Sequence, residues 1–412
     1  MTQRDSHAAI RHLLDHRQQE QVRFLADLVR TPSDNPPGDC APHAEVAAAH
    51  LEKLGFEVER NPVPSDVCRA HGMISATNLI VRRRYGEGPT IALNAHGDVV
   101  APGEGWSCDP YGADIRDGMM LGRGVAVSKS DFATYAYAVL ALEALDPRRG
   151  TVELHLTYDE ETGGEIGPKR LLETGLTKPD LAICAGFSYA VTVAHNGCLH
   201  LAVEVRGKSA HAARPDTGHD ALEAATEILA VLYRERDGYT AHRSSVPGIG
   251  SPSLVVGLIE GGINTNVVPD RVTLRLDRRM IPEEQPQAVE DRLRAVIGQA
   301  AASRPGIAVE VRRVLLARPL QPSAGAKGLA DSLARNASAV FGTPVEPSGV
   351  PLYTDARHYA EAGVPVVLYG AGPRSLLDAN AHRADERLAL SDLRGASEVV
   401  ARTLAALLVG PE

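Results

Sequence analysis

Aromatic side chains are scarce in this chain: Phe, Tyr and Trp make up 4% of 412 residues, with a single Trp. Any core must therefore come mainly from aliphatic residues and Ala, which dominate the 44% hydrophobic share. Cysteine is rare as well. Cys40, Cys68, Cys108, Cys184 and Cys198 are odd in number, widely spaced and free of any CxxC pair, which argues against a disulfide framework and for a reducing, cytoplasmic setting. Long apolar runs are missing too. The longest stretch without a formal charge, Leu181 to Val203, is broken by His195-Asn196-Gly197 and His200 and reads as two strands and a turn, not a membrane span. Met1 to Glu20 is rich in Arg, His, Asp and Gln and lacks the apolar centre of a signal peptide, so the mature chain is expected to start near residue 1. Neither charge sign is concentrated: 43 Lys and Arg against 52 Asp and Glu leave a net −9 spread without blocks. That argues against nucleic acid or an anionic membrane as the main partner.

What is present is a chain long enough for two domains, with no internal repeat or low-complexity segment. Helical spacing of apolar residues runs from Ala8 to Val29 and is closed by the turn chemistry of Thr31 to Gly38; a second helix covers about Pro42 to Leu54. Short apolar runs at Asn78–Val81, Thr90–Ala95, Val152–Tyr158 and Leu181–Cys184 alternate with helical patterns such as Asp131–Leu145 and Pro168–Thr174. Strands alternating with helices predict an α/β fold with a mostly parallel sheet. After Gly197 the texture changes to strands at Leu199–Val205, Ser253–Ile259, Val272–Leu276 and Ile307–Val314, with helices at His219–Tyr233 and Gln285–Ala302. This predicts an inserted α/β sandwich over 198–314, between a first part, 1–197, and a second part, 315–412, of the parallel-sheet domain.

His96-Gly97-Asp98 follows directly on the run Thr90–Ala95, and Asp159-Glu160-Glu161 follows Val152–Tyr158, so both groups project from strand ends, where open α/β sheets hold their ligands. Adjacent carboxylates repel unless they are solvated or face a cation. His382 lies beyond the run Val364–Leu368 and its Gly370-Ala371-Gly372-Pro373 loop. Three strand ends of one parallel sheet converge at one edge, as a metal site requires.

These residues, with Thr31-Pro32-Ser33-Asp34-Asn35-Pro36, Leu121-Gly122-Arg123-Gly124, Gly207-Lys208-Ser209-Ala210-His211-Ala212, Gly261-Gly262-Ile263-Asn264-Thr265-Asn266 and Thr354-Asp355-Ala356-Arg357, give the chain an almost end-to-end resemblance to the M20 family of metallohydrolases. That family includes aminoacylases, glutamate carboxypeptidases, acetylornithine deacetylases and succinyl-diaminopimelate desuccinylases. The resemblance implies a metal-dependent catalytic domain with an inserted lid that also serves dimerisation, here into a homodimer. It makes His96, Glu161 and His382 metal ligands, Asp98 the carboxylate that orients His96, Glu160 the general base and His211 the residue that polarises the scissile carbonyl. Asn266 and Arg279, with Arg357 beside them, would hold the carboxylate of a small anionic substrate, a task the Arg fork suits.

The chain departs from the family at two ligand positions. Val127 stands where the resemblance expects an Asp bridging two metals, and Gly186 where it expects a Glu. With Glu161 the one carboxylate left among the ligands, two divalent ions would carry about +3 unbalanced in a poorly solvated site, whereas one ion restores the family's +1. The expectation is therefore one divalent transition metal, Zn, Mn or Co. Asp131, one helical turn beyond Val127, is a replacement candidate, although Ser128 followed by Asp131 also reads as a helix N-terminal cap. His155, His195 and His200 read as core or surface histidines. The function expected is hydrolysis of the amide of a small N-acyl amino acid or dipeptide-like molecule; hydrolytic deamination of a non-amide substrate and a non-catalytic small-molecule-binding relic remain open beside it.

Overall fold

The computed structural model describes residues 2–409. Its strands in chain order are β1 (Val58–Pro62), β2 (Thr77–Arg84), β3 (Thr90–His96), β4 (Asp114–Arg116), β5 (Met119–Leu121), β6 (Thr151–Thr157), β7 (Leu181–Cys184), β8 (Val191–His195), β9 (Gly197–Arg206), β10 (Ser253–Gly261), β11 (Arg271–Met280), β12 (Ala308–Ala317), β13 (Pro347–Val350), β14 (Val366–Leu368) and β15 (Arg387–Ala389). The chain divides into two compact units. One runs to Val193 and resumes over Pro322–Ser348 and from Thr354 on; the other holds Ala194–Gln321 and Gly349–Tyr353.

The first unit is built on an eight-stranded sheet, order β1-β2-β6-β3-β7-β14-β8-β13. Its centre is parallel: β3 pairs with β6 and β7, and β7 with β14, all in the same direction. Antiparallel strands flank it, β2 on β6 and β8 on β14. The central strands are buried nearly throughout, which is why β3 reads as an apolar run interrupted only at Asn94, while β6 also buries Glu153 and His155, which satisfy each other and Tyr359 in the core. Successive strands β6 and β7 lie on opposite sides of β3, so a crevice opens at its carboxyl end. The helices Gln3–Arg30, Lys129–Glu143 and Leu390–Leu408 pack together, sharing a core with Leu28, Leu93, Phe132, Val139, Leu154, Val399 and Leu404.

The second unit is a four-stranded antiparallel sheet, order β10-β11-β9-β12, with the helices Ala221–Asp237 and Pro286–Ala302 on one face. Leu199, Leu201, Leu274 and Leu276 meet Ala224, Ile228, Leu293 and Ile297 in its core. By the period of two along each strand, the side chains between them point to the opposite face.

The mixed architecture agrees with the α/β expectation, and three details differ. Leu181 to Val203 makes parts of three strands, not two, because the turn after β7 leaves room for β8 before β9. The small sheet β15-β5-β4 has no apolar pattern long enough to announce it. Ser128 does not cap the helix Lys129–Glu143 with its side chain; its hydroxyl instead donates to the His96 carbonyl at 3.0 Å and accepts from the His96 N–H at 3.1 Å, tying the helix start to the end of β3.

Arg123 and Glu386 form a buried pair at 2.6 Å, and Glu386 also accepts from the N–H groups of Gly124, Ala126 and Val127. Both side chains are 1% exposed. Arg123→Ala is expected to destabilise the chain by about 3–5 kcal/mol in urea unfolding, because it strands the Glu386 carboxylate without its cation. A loss below about 1 kcal/mol would show that the backbone donors suffice.

Candidate metal centre

The carboxyl ends of the parallel strands carry the chemistry. His96 closes β3 opposite Thr157 of β6, and the chain leaving β6 turns through Asp159, Glu160 and Glu161. The ligand atoms of His96, Glu160 and Glu161 lie within 4.8 Å of one another. His96 Nε2 is 4.0 Å from Glu160 Oε2. His382 Nε2 stands 3.3 Å from Glu161 Oε1, a buried oxygen that meets no other donor of good geometry. Among the described residues His382 does not join the three-way group, so the structure brings it to Glu161 and not to mutual contact with His96. Its φ of +61°, uncommon for a residue with a side chain, marks a backbone held by its surroundings.

Asp98 lies beneath this group, fully buried. Its carboxylate accepts from the N–H groups of Glu160 (3.3 Å) and Glu161 (3.2 Å) and from Asn35 Nδ2 (2.9 Å). His96 Nδ1 is 3.0 Å from the Asp98 carbonyl and 3.3 Å from its Oδ1, so backbone and side chain together fix the ring and leave Nε2 for a ligand. The segment Thr31–Pro36 reaches the site through Asn35, with Ser33 Oγ donating to the Gly97 carbonyl at 2.6 Å.

The charge balance is lopsided without a cation. Burial opposes a proton on His96, yet Asp98, Glu160 and Glu161 hold its pKa well above the usual imidazole value. Burial, reinforced by Glu161 and Asp98 and opposed by His96, pushes Glu160 up to about 7. Asp355, 4% exposed and with neither carboxylate oxygen hydrogen-bonded, is pushed up to about 8 by burial and by Glu160. Its Oδ1 sits where a Cβ on Gly164, at φ +68°, would come within 2.1 Å. In the sequence Asp355 stands out only as part of Thr354–Arg357; burial, its distinguishing property, has no local signal. A pocket of crowded, under-satisfied carboxylates with a ring nitrogen aimed into it could hold a divalent cation; the structure gathers His96, Glu160 and Glu161 there and sets His382 against Glu161.

Two expected roles change. Arg357 is buried at 2% exposure and donates to the carbonyls of Thr354 (3.1 Å) and Gly163, so it braces the turn after Glu161 and is not presented to a substrate. Asp131 is not a cap residue: Oδ1 accepts from Ala371 N–H at 2.7 Å and Oδ2 from Gly186 N–H at 3.3 Å. Burial pushes this carboxyl up to about 7. Gly186 itself is closed to any side chain, since a Cβ there would lie 2.8 Å from Tyr369 N and 2.9 Å from Leu368 C. On the second unit, His211 and Asn266 are neighbours on an exposed edge, joined by Ala212 N–H donating to the Asn266 carbonyl at 3.0 Å. Arg279 forks onto Asp277, Nε to Oδ1 at 2.9 Å and a terminal nitrogen to Oδ2 at 3.1 Å. His155 is a core residue between Tyr359 and Glu153, and His195 is fully buried.

The raised carboxyls pull the stability of the metal-free chain down as pH rises, while His43, held well below the usual imidazole value by burial, pulls the other way up to that value. Asp131, Glu160 and Asp355 keep protons in the fold that the unfolded chain releases above about pH 4, so their contribution to stability is lost as pH rises toward 7–8. Buried Lys129, lowered to about 7, works in the opposite sense only above pH 7. Thermal unfolding after chelation should therefore show Tm falling between pH 5 and 7, and a divalent ion should flatten the fall. A Tm that climbs through that window would contradict the assignment.

Comparison with known proteins gives the family. Residues 92–406 match the model of "Peptidase family M20/M25/M40". An acetylornithine deacetylase of Myxococcus xanthus is 29% identical over 369 residues, covering 88% of this chain and 91% of that protein. A succinyl-diaminopimelate desuccinylase of Wolinella succinogenes is 30% identical over 338 residues, covering 79% and 87%. In fold, the chain is similar to the di-peptidase Dug1p of Saccharomyces cerevisiae (TM-score 0.78, 15% identity, all of both chains) and to the M20 family metallo-carboxypeptidase Sso-CP2 of Sulfolobus solfataricus (TM-score 0.76, 17% identity, 95% and 100%). Among the described residues no helix is long and apolar enough to cross a membrane. The chain belongs to peptidase family M20/M25/M40, hydrolases of C–N amide bonds.

Proposed function

We propose that this chain is a single-metal amidohydrolase acting on a small, anionic N-acyl amino acid or dipeptide-like substrate. The observation that carries the single ion is the closure of the Gly186 position by the Leu368–Tyr369 backbone, with Asp131 already engaged by two N–H groups. A bound Zn, Mn or Co ion would supply Lewis acidity toward the scissile carbonyl and make water easier to deprotonate. Glu160 takes the proton of the attacking water and passes it to the leaving amine, a task that its elevated pKa suits. Asp98 orients His96 and anchors the Glu160–Glu161 turn. His211 polarises the carbonyl, and Asn266 and Arg279 hold the substrate's carboxylate; the support is the exposed His211–Asn266 edge and the Arg279 guanidinium on the same unit. A cytoplasmic homodimer paired through the inserted unit belongs to the same reading.

A second reading makes Glu160 a ligand, since it, and not His382, shares the close group with His96 and Glu161. The first reading is tested by offering acetyl- and succinyl-amino acids and dipeptides to the protein before and after chelation. Chelator-sensitive release of free amine supports it, and no release from any of them with metal restored overturns it.

A further inference from the structure

A second cluster of metal-capable side chains lies in the other unit, far in sequence from His96 and Glu161. Cys198 and His200 sit two apart on β9, and Asp277 and Arg279 two apart on β11; the register sets His200 opposite Asp277 and Cys198 opposite Arg279. All four side chains therefore share one face of the sheet, the one away from the helices that cover Leu199 and Leu276. Cys198, although buried, has its sulfur 3.7 Å from Asp277 Oδ1. His200 Nε2 is 3.2 Å from Asp277 Oδ2, and the three ligand atoms lie within 4.8 Å of one another.

The two distances run to different oxygens of Asp277, so a common ion would draw one oxygen, the sulfur and the ring nitrogen together from within the 4.8 Å envelope. Two tetrahedral ligands at usual zinc distances are about 3.4 Å apart for N and O and about 3.6 Å for S and O. Cys198 is buried, while the side chains of His200 and Asp277 are about one-third exposed, so an ion has a route in past the latter two. Arg279 occupies one side of the Asp277 carboxylate, and the remaining lone pairs face His200 and Cys198.

We propose that Cys198, His200 and Asp277 form a binding site for a thiolate-tolerant divalent cation, Zn²⁺ or Co²⁺, separate from the His96–Glu161 centre. The Cys198 thiol gives its proton to bulk buffer as the sulfur–metal bond forms, leaving a thiolate, an imidazole and a carboxylate with one position open to water. Thiolate ligation selects zinc-like ions over Mg²⁺ and Ca²⁺. The ion competes with Arg279 for Asp277, which couples the site to a residue the proposed function assigns to substrate binding. The site itself does not depend on that function.

Cobalt titration of the chelator-treated full chain under argon tests the site by a signal the other centre lacks, since none of its candidate ligands is a cysteine. The expected result is a near-ultraviolet thiolate-to-cobalt charge-transfer band that saturates by two added equivalents per chain, with an amplitude of one thiolate-bound ion, persists in His382→Ala and is absent from Cys198→Ser. His200→Ala, a partly exposed position, should lower the affinity read from that band at least tenfold, and it carries the test should Cys198→Ser fail to fold. Cobalt uptake without a thiolate band, a band that survives Cys198→Ser, or unchanged affinity in His200→Ala would each overturn the proposal.

Discussion

Glu160→Gln is expected to lower kcat by ~10²–10⁴-fold, the range of general acid–base catalysis, while leaving metal content unchanged. The substitution keeps the size of the side chain and removes its proton-accepting capacity. Glu160 is 14% exposed, its Oε2 stands 4.0 Å from His96 Nε2, and in the metal-free chain burial pushes its pKa up to about 7. Paired assays of turnover and bound metal separate the two roles open to this residue. Lost turnover with retained metal fits a base. Lost metal makes Glu160 a ligand, and full activity removes it from the mechanism.

His382→Ala is expected to act in the complementary way, weakening metal affinity by more than the ~10–100-fold typical of an outer-sphere partner and reducing turnover with it. The ring is half exposed and touches Glu161 across 3.3 Å, and Glu161, through hydrogen bonding and charge, raises its pKa despite partial burial. In the proposed single-ion site His382 and Glu161 would hold a divalent ion together, which would require the imidazole to give up that proton. Isothermal titration of the chelated variant with Zn²⁺ checks the loss. Affinity within about threefold of the unmodified chain would show that His382 merely pairs with Glu161.

The α/β class was legible because β3 and β6 are buried along most of their length and read as short, mostly apolar segments despite Asn94, Glu153 and His155, each followed at once by its polar tip, His96 or Asp159 to Glu161. The β9–β12 sandwich announced itself through alternation along β9, where Leu199, Leu201, Val203 and Val205 are the core positions. What sequence spacing hid are contacts made across long separations. Asp131 reads locally as part of a helix start, but its carboxylate is drawn to N–H groups at Gly186 and Ala371, the latter 240 residues away. Arg357 reads as a surface fork for a carboxylate, yet the turn at Gly163 and the Thr354 carbonyl claim it in the interior. His200 read as an ordinary core or surface histidine because Asp277, its cross-strand neighbour, is set by the β9–β11 register and not by spacing along the chain.

Gly186 shows how structure sharpens a sequence argument. From sequence, its lack of a side chain predicted that two ions would be hard to hold. The backbone of Leu368 and Tyr369 now occupies the space a side chain would need, so restoring a Glu there would require the strand end to move. The measurement that tests the single-ion account most directly is anomalous X-ray diffraction at the zinc edge on crystals grown with Zn²⁺. One peak at the strand ends beside His96 and Glu161 is the predicted result. Two peaks there, the second against Asp131 and Gly186, would contradict it.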